Sequence, residues 1–392
     1  MLKPILPLPD HLRGNETGTF TEDSVVRRLP EIALKTIDDN KLDGDIRESV
    51  EQLAAAVHDG VIVGVDEPEA ADSLAWQGYV DAYKGMSWVD APWFFAETYF
   101  YRRLLAATGY SHPGHRCRVD PFALQKQTAL DGALVLAAEL GKETANTRTL
   151  VGASLWANRV DLSLWRAGEE NIDARTATVL GGRDERLLVD DTDRAIGLLE
   201  EDGASIHIVL DNAGAELVAD LALAAGVLGR GGRVTIHAKP HPTFVSDVTL
   251  PDLDETIARL GAEPSAAAGV ARTLVEARSR GSLLEKVHPF WVSPLPFWEC
   301  PDDLVDELAD ADLVVIKGDA NYRRLLGDLH WDPTTPFTNI VRPLQPLLAL
   351  RTPKSLVAAG IDPGVVEQAA AADPDWLTDG EWGMIQFAPE VD

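Results

Sequence analysis

The sequence predicts an α/β protein, a three-layer α/β/α sandwich with a mostly parallel sheet, preceded by an N-terminal helical bundle. Two observations carry this. From residue 20 to about 167 apolar residues recur at three-to-four spacing, and almost nothing reads as a strand. From about residue 180 short apolar runs alternate with amphipathic helices, the mark of a parallel sheet with helices on its faces. The change of texture divides the chain into a mostly helical region, 1–175, and an α/β region, 176–392.

The helical stretches follow in order: EDSVVRRLPEIALKTIDD, DIRESVEQLAAAV, EAADSLAWQGYVDAYKG, APWFFAETYFYRRLLAAT, PFALQKQTALDGALVLAAEL and TRTLVGASLWANRVDLSLW. The aromatic run in the fourth has the spacing of a buried core helix, and Asp90-Ala91-Pro92 supplies its start. Glu97 and Arg102 on it are candidate pocket residues. In the sixth, Asn158 and Asp161 share a helix face and either line a site or pair locally. The expected strands are RLLVDD, SIHIVLDNA, GRVTIHAKP, ADLVVIKGD, PLLALRTPK and WGMIQFAP. Two segments mimic motifs. GRGGR, 229–233, leads into a strand instead of joining a strand to a helix, so it reads as a turn and not a phosphate loop. His112, His115 and Cys117 lack a second Cys or His pair at zinc-site spacing and read as a loop.

Sixty-three acidic against thirty-five basic residues give a formal net charge of -28, which repels nucleic acid and anionic membranes. An anionic substrate therefore needs a local cluster of cations. Cys117 and Cys300 lie far apart, which argues against a disulfide framework. No signal peptide and no run of about eighteen apolar residues is visible, so the chain reads as soluble and cytoplasmic, and its length and charge permit a monomer.

Ligands of open parallel sheets sit at the carboxyl ends of the strands. Those ends here are Asp211-Asn212, Lys239, Lys317-Gly318-Asp319, and Arg351 with Lys354. Basic residues recur at three of the four, supplying the cations that an anion would need. Asp211, Asn212 and, from the following loop, Asp247 offer oxygen donors suited to a hard divalent ion. Gly214 allows a sharp turn into a helix whose N-terminus favours an anion. Asp-Asn-Ala-Gly also suits a plain turn in which Asn or Asp bonds its own backbone. The joint placement of the strand ends favours phosphate plus metal.

The segments VLDNAGAELVADLALA, HAKPHPTFVSDVT, DLVVIKGDANYRRLLGD, WDPTTPF, LLALRTPKS and WGMIQF, in that order, resemble the damage-control metal phosphatases, specifically the subfamily marked by Arg-Thr-x-Lys that has carried the name acidic residue methyltransferase. PWFFAETYFYRR and SLWANRVDLSLW extend the resemblance into the helical half. It implies a metal held by Asp211, Asn212 and Asp247, which would be manganese, cobalt or nickel, with magnesium as a further option. It places Glu216 at the pocket, assigns substrate binding to Asp319, Ala320, Asn321, Tyr322 and Arg323, and sets Arg351, Thr352, Pro353 and Lys354 on the Arg-Thr-x-Lys motif, with Lys354 on the phosphate. With Lys317, Arg323 and Lys354 neutralising phosphoryl charge, the implied reaction is hydrolysis of a small phosphorylated metabolite, a sugar phosphate such as fructose 1-phosphate or fructose 6-phosphate. The nucleophile is either water or Asp211. Ala157 and Ala215 stand where relatives commonly have glycine and phenylalanine. The rival readings are methyl transfer from S-adenosylmethionine to protein carboxylates, against which stands the missing glycine-rich loop after the first strand, and a metabolite sensor without turnover.

Overall fold

A computed structural model describes residues 1–114, 116–142, 145–157, 159 and 184–391. Seven strands form one sheet in the order β1-β7-β6-β5-β2-β3-β4. They are β1 (Leu187–Asp190), β2 (Ser205–Val209), β3 (Arg233–Ala238), β4 (Leu283–Val287), β5 (Leu313–Lys317), β6 (Leu347–Arg351) and β7 (Gly383–Ala388). Five of the six neighbouring pairs are parallel, and β6 with β7 is antiparallel. Six of the strands lie where the apolar runs place them. The seventh, β4, escapes a search for apolar runs because it lies at the sheet edge, half open to solvent, with Glu285 and Lys286 in its middle.

Alternation along the central strands separates two cores. Val314, Ile316, Leu347 and Ala349 face the N-terminal helices. Leu313, Val315, Leu348 and Leu350 face the opposite layer, where the helix Ala215–Gly229 lies against α6 (Ala123–Leu140) and α7 (Thr147–Trp156). On the first side α1 (Phe20–Asp23), a π-turn (Ser24–Arg28) and α2 (Leu29–Asn40) run on without a break, followed by α3 (Gly44–Asp59), α4 (Ser73–Asp81) and α5 (Trp93–Ala107). Helix α5 is apolar nearly all round and buried along most of its length, as expected of a core helix. Its aromatic residues share a core with the sheet face of β5 and β6, so the N-terminal helices form a wall of the sheet's crevice.

Gly214, with φ +86, makes the turn into the helix Ala215–Gly229 that a residue with a Cβ would resist. GRGGR is the turn from that helix into β3.

Candidate active site

Strands β6, β5, β2 and β3 run in one direction and bring their carboxyl ends to one edge. The chain leaves β2 towards β3 and leaves β5 towards β6, so a crevice opens between β2 and β5. Beyond β2 the backbone finds a new partner. Ala213 N donates to Ser246 O at 2.7 Å, Val248 N donates to Asp211 O at 2.8 Å, and Lys239 N donates to Val248 O at 2.8 Å. This short antiparallel pairing sets Asp247 opposite Asn212. The loop that delivers it holds Phe244 at φ +46 and Val245 at φ +66, conformations costing about 1–3 kcal/mol each for such side chains.

Asp211 and Asp247 are both buried. Asp211 Oδ1 and both carboxylate oxygens of Asp247 make no hydrogen bond. Burial, reinforced by the Asp247 and Glu216 charges, pushes the Asp211 carboxyl well above its ordinary range. Burial likewise pushes Asp247 up to about 6, against the opposing charge of Lys239. Buried acceptors without donors are costly, and a cation between them removes that cost. Asn212 Nδ2 donates to Asp211 Oδ2 and to Glu216 Oε2, both at 2.9 Å, while its Oδ1 accepts from Ser246 Oγ at 2.5 Å. Among the described residues no three His, Cys, Asp or Glu side chains are grouped for a metal. What lines the cavity together is two carboxylates and one amide oxygen, an all-oxygen set whose chemistry fits a hard divalent ion.

Gly318 begins the helix Gly318–Leu326 with φ +77, and a Cβ there would lie 1.8 Å from Asp211 Oδ2. The glycine is what lets the end of β5 pass beneath the Asp211 carboxylate.

A cavity of about 430 Å³ opens onto these groups. Of the candidates from sequence, Glu97, Asp211, Asn212, Asp247, Asp319, Ala320, Arg323 and Lys354 line it. Arg323 is gripped by Glu97 and Asp328, with its guanidinium carbon 3.7 Å from the centre of the Trp93 ring. Asp319 Oδ1 accepts from Arg351 Nε at 2.8 Å, Lys354 N at 3.1 Å and Ser355 Oγ at 3.1 Å. Burial opposes its ionisation, but the Arg351 and Arg323 charges outweigh that and hold it below the usual carboxylate range.

Glu216, Lys317, Asn321, Tyr322 and Arg351 stand behind the lining. Lys317 Nζ is buried between Glu216 Oε1 at 3.2 Å, Asp220 Oδ1 at 3.3 Å and Ser154 O at 2.5 Å, which turns it away from the cavity. Glu216 joins Lys317 to Asn212 and does not reach the cavity surface. Asn321 Nδ2 donates to Leu210 O at 3.1 Å and its Oδ1 accepts from Lys239 Nζ at 3.0 Å, so it ties the helix Gly318–Leu326 to the ends of β2 and β3. Tyr322 donates to Gln386 Oε1 at 2.7 Å, and burial pushes its phenol up to about 12. Arg351 stacks 4.3 Å from the Tyr322 ring and holds the turn after β6 through Ser355 and Val357. Arg102 pairs with Glu67 and Asp72 outside the cavity. Asn158, Asp161 and His115 lie outside the described residues.

Sequence reasoning missed the polar and aromatic lining residues Arg28, Lys35, Trp93, Tyr101, Gln125, Lys126, Phe244 and Ser246. The hint in the sequence was the helical period of the first helical stretch, where Arg28, Ile32 and Lys35 recur at spacings of four and three.

A doubly wound α/β sheet with the acidic oxygens of Asp211 and Asp247 and the cations Arg323 and Lys354 at its carboxyl edge has the makings of an enzyme site for an anion and a divalent ion. The model of the damage-control phosphatase ARMT1-like domain matches residues 24–369, and the chain belongs to that family. Damage-control phosphatase ARMT1 of zebrafish, Danio rerio, is 31% identical, with 97% of each chain covered. The human protein of that name is 27% identical, covering 97% of this chain and 98% of its own. A solved DUF89-family structure from Pyrococcus horikoshii shares the fold at a TM-score of 0.52 and 14% identity, covering 88% of this chain and 93% of that one. The chain is thus a phosphatase of a small phosphorylated metabolite, and its family implies dependence on a divalent metal. No described helix is long and apolar enough to cross a membrane.

Proposed function

We propose that the chain hydrolyses a sugar phosphate, of which fructose 1-phosphate and fructose 6-phosphate are the leading members, in a reaction supported by manganese, cobalt or nickel, with magnesium as a weaker alternative, and that it acts as a cytoplasmic monomer. One observation supports the metal above the others: three buried carboxylate oxygens of Asp211 and Asp247 beside the cavity accept no hydrogen bond, the nearest cation being Lys239 Nζ, 3.7 Å from Asp247 Oδ2. Asp211, Asp247 and the Asn212 amide oxygen would hold the ion. When bound, such an ion polarises the phosphoryl group and lowers the pKa of water.

The chain's own groups divide the rest of the work. Lys354 carries positive charge to the phosphoryl oxygens at the end of the cavity nearest Asp211. Arg323 adds a second cation, braced by Glu97 and Asp328 so that its position is fixed before substrate arrives. Asp319, held ionised by Arg351, fixes the turn that carries Lys354. Lys317 acts through Glu216 and Asn212 as a positioning residue. Trp93, Tyr101 and Phe244 give the carbon skeleton of a sugar an apolar wall. In the net change a water oxygen bonds to phosphorus, the ester P–O bond breaks, and the alcohol leaves with a proton.

The test is inorganic phosphate release from fructose 1-phosphate, fructose 6-phosphate and an aryl phosphate with each metal in turn. Hydrolysis of the aryl ester with no sugar phosphate turned over would reject the substrate class and leave the phosphatase standing.

A further inference from the structure

We infer that Arg28, on the π-turn at the mouth of the cavity, recognises a second anionic group of the substrate, at the end remote from the phosphate that is hydrolysed. This rests on the sugar-phosphate reading above and extends it: a sugar phosphate that carries a second negative group gains a contact that the monophosphates lack.

The helix from Phe20 to Asn40 is not a uniform α-helix. Leu29 N–H bonds to Ser24 O, five residues back, which inserts one residue into the turn. Such π-turns cost hydrogen-bond geometry and gather at functional sites. Here the insertion serves two contacts on one face. Ser24 points inward, where its Oγ donates to Glu97 Oε1 at 2.9 Å and accepts from Trp93 Nε1 at 3.2 Å. Arg28, four residues on, lines the cavity with Ile32 after it. The turn is therefore pinned to Glu97, the carboxylate that also grips Arg323.

Its neighbour makes the contrast. Arg27 points away from the cavity and is paired with both Asp23 and Glu31. The Arg28 side chain makes no hydrogen bond or ion pair with any described residue, in a chain with sixty-three acidic residues to choose from. Three other cations of the lining have carboxylate partners of their own: Lys126 with Asp120 and Asp252, Arg323 with Glu97 and Asp328, and Lys35 with Asp39. The charge of Arg28 is felt at Asp23, whose carboxylate is hydrogen-bonded to Arg27, and also at Lys354 and the Tyr101 phenol, within electrostatic reach of the phosphate end and the aromatic wall. A chain of net charge -28 repels a doubly anionic substrate, and an uncommitted guanidinium at the entrance offsets that locally. The shared chemistry is an anion, either a second phosphate or a carboxylate.

The test uses a matched series on the full chain: glucose 1-phosphate, glucose 1,6-bisphosphate and glucuronic acid 1-phosphate, which differ only at the sixth carbon. Each is measured as a competitive inhibitor of metal-dependent aryl phosphate hydrolysis, so that substrates and non-substrates are read alike. Wild type should bind the two doubly anionic sugars about tenfold more tightly than glucose 1-phosphate, the size of one hydrogen-bonded charge contact. Arg28→Gln should abolish that ratio, Arg28→Lys should keep part of it, and Arg27→Gln should leave it intact. A gain for the bisphosphate alone would assign the site to phosphate, and a gain for both would assign it to anions generally. Equal binding of all three sugars by wild type, or an Arg28→Gln change that is the same for all three, would overturn the inference. Absence of aryl phosphate hydrolysis with every metal would remove the phosphatase reading, and this inference with it.

Discussion

At the scale of single residues, Asp211 and Asp247 are an unfavourable pair that only a cation makes favourable. Both are buried, and three of their four carboxylate oxygens accept no hydrogen bond, with only Lys239 Nζ at 3.7 Å from Asp247 Oδ2 to offset their charge. Replacing Asp211 by Asn keeps the shape and removes a charge. Metal-dependent kcat/KM should fall by about a thousandfold or more, of the order lost when a principal electrostatic group is removed, while the Tm of the metal-free protein stays level or rises. A fall in Tm with activity retained would contradict the assignment. The pH dependence follows from the direction of the shift. Asp247 is raised to about 6 by burial, so the folded chain holds that proton more tightly than the unfolded chain does. The stabilisation is fully present below the ordinary carboxylate pKa of about 4 and is lost as pH rises through about 6. Metal-free protein should thus lose Tm across that window. Metal-loaded protein should gain instead, because ions displace the protons and bind more tightly as pH rises. Melting curves between pH 4 and 7.5, with chelator and with manganese, read both slopes.

Elements decide which residues can meet. Gly318 is the sharpest case, since β5 and its helix reach the site only because no side chain occupies the space under Asp211. Gly318→Ala should destabilise the fold by about 1–3 kcal/mol from the left-handed φ alone and should also displace Asp211, weakening metal binding. Unchanged metal affinity by calorimetry would show that the close approach is not what positions the carboxylate. Much of this level was legible in the sequence. Strand ends such as Asp211-Asn212, Lys317-Gly318 and Arg351 could be read because a buried parallel strand is a continuous apolar run that stops where its loop begins. β4 could not, because an edge strand half in solvent carries adjacent charges, Glu285 and Lys286, that interrupt its apolar run. The orientation of side chains was equally hidden. Lys317 and Arg351 sit at strand ends as cations should, yet both turn inward to carboxylates, which depends on Glu216, Asp220 and Asp319 meeting them in space.

The whole molecule closes the site with its N-terminal helices. The Glu97–Arg323 pair crosses from α5 to the helix after β5, and Ser24 reaches Glu97 from the π-turn. Lining residues such as Arg28, Gln125 and Tyr101 lie more than a hundred positions from the Asp247 loop that they face, in segments with no local motif, so only the folded chain reveals them. If α2 and α5 close over substrate as one wall, a bound ion and phosphate should raise Tm together, by the equivalent of about 2.7 kcal/mol at a hundredfold excess over Kd. Separate transitions for the helical and sheet regions under that load would argue against a shared wall. The central claim is that this chain is a phosphatase whose metal is held by Asp211, Asn212 and Asp247. Its most direct test is phosphate release from fructose phosphates and an aryl phosphate, using chelator-stripped protein with manganese, cobalt, nickel or magnesium restored, beside Asp211→Asn. The account predicts release that returns with metal in the wild type and stays absent in the variant. Metal-restored release that survives in Asp211→Asn would contradict it.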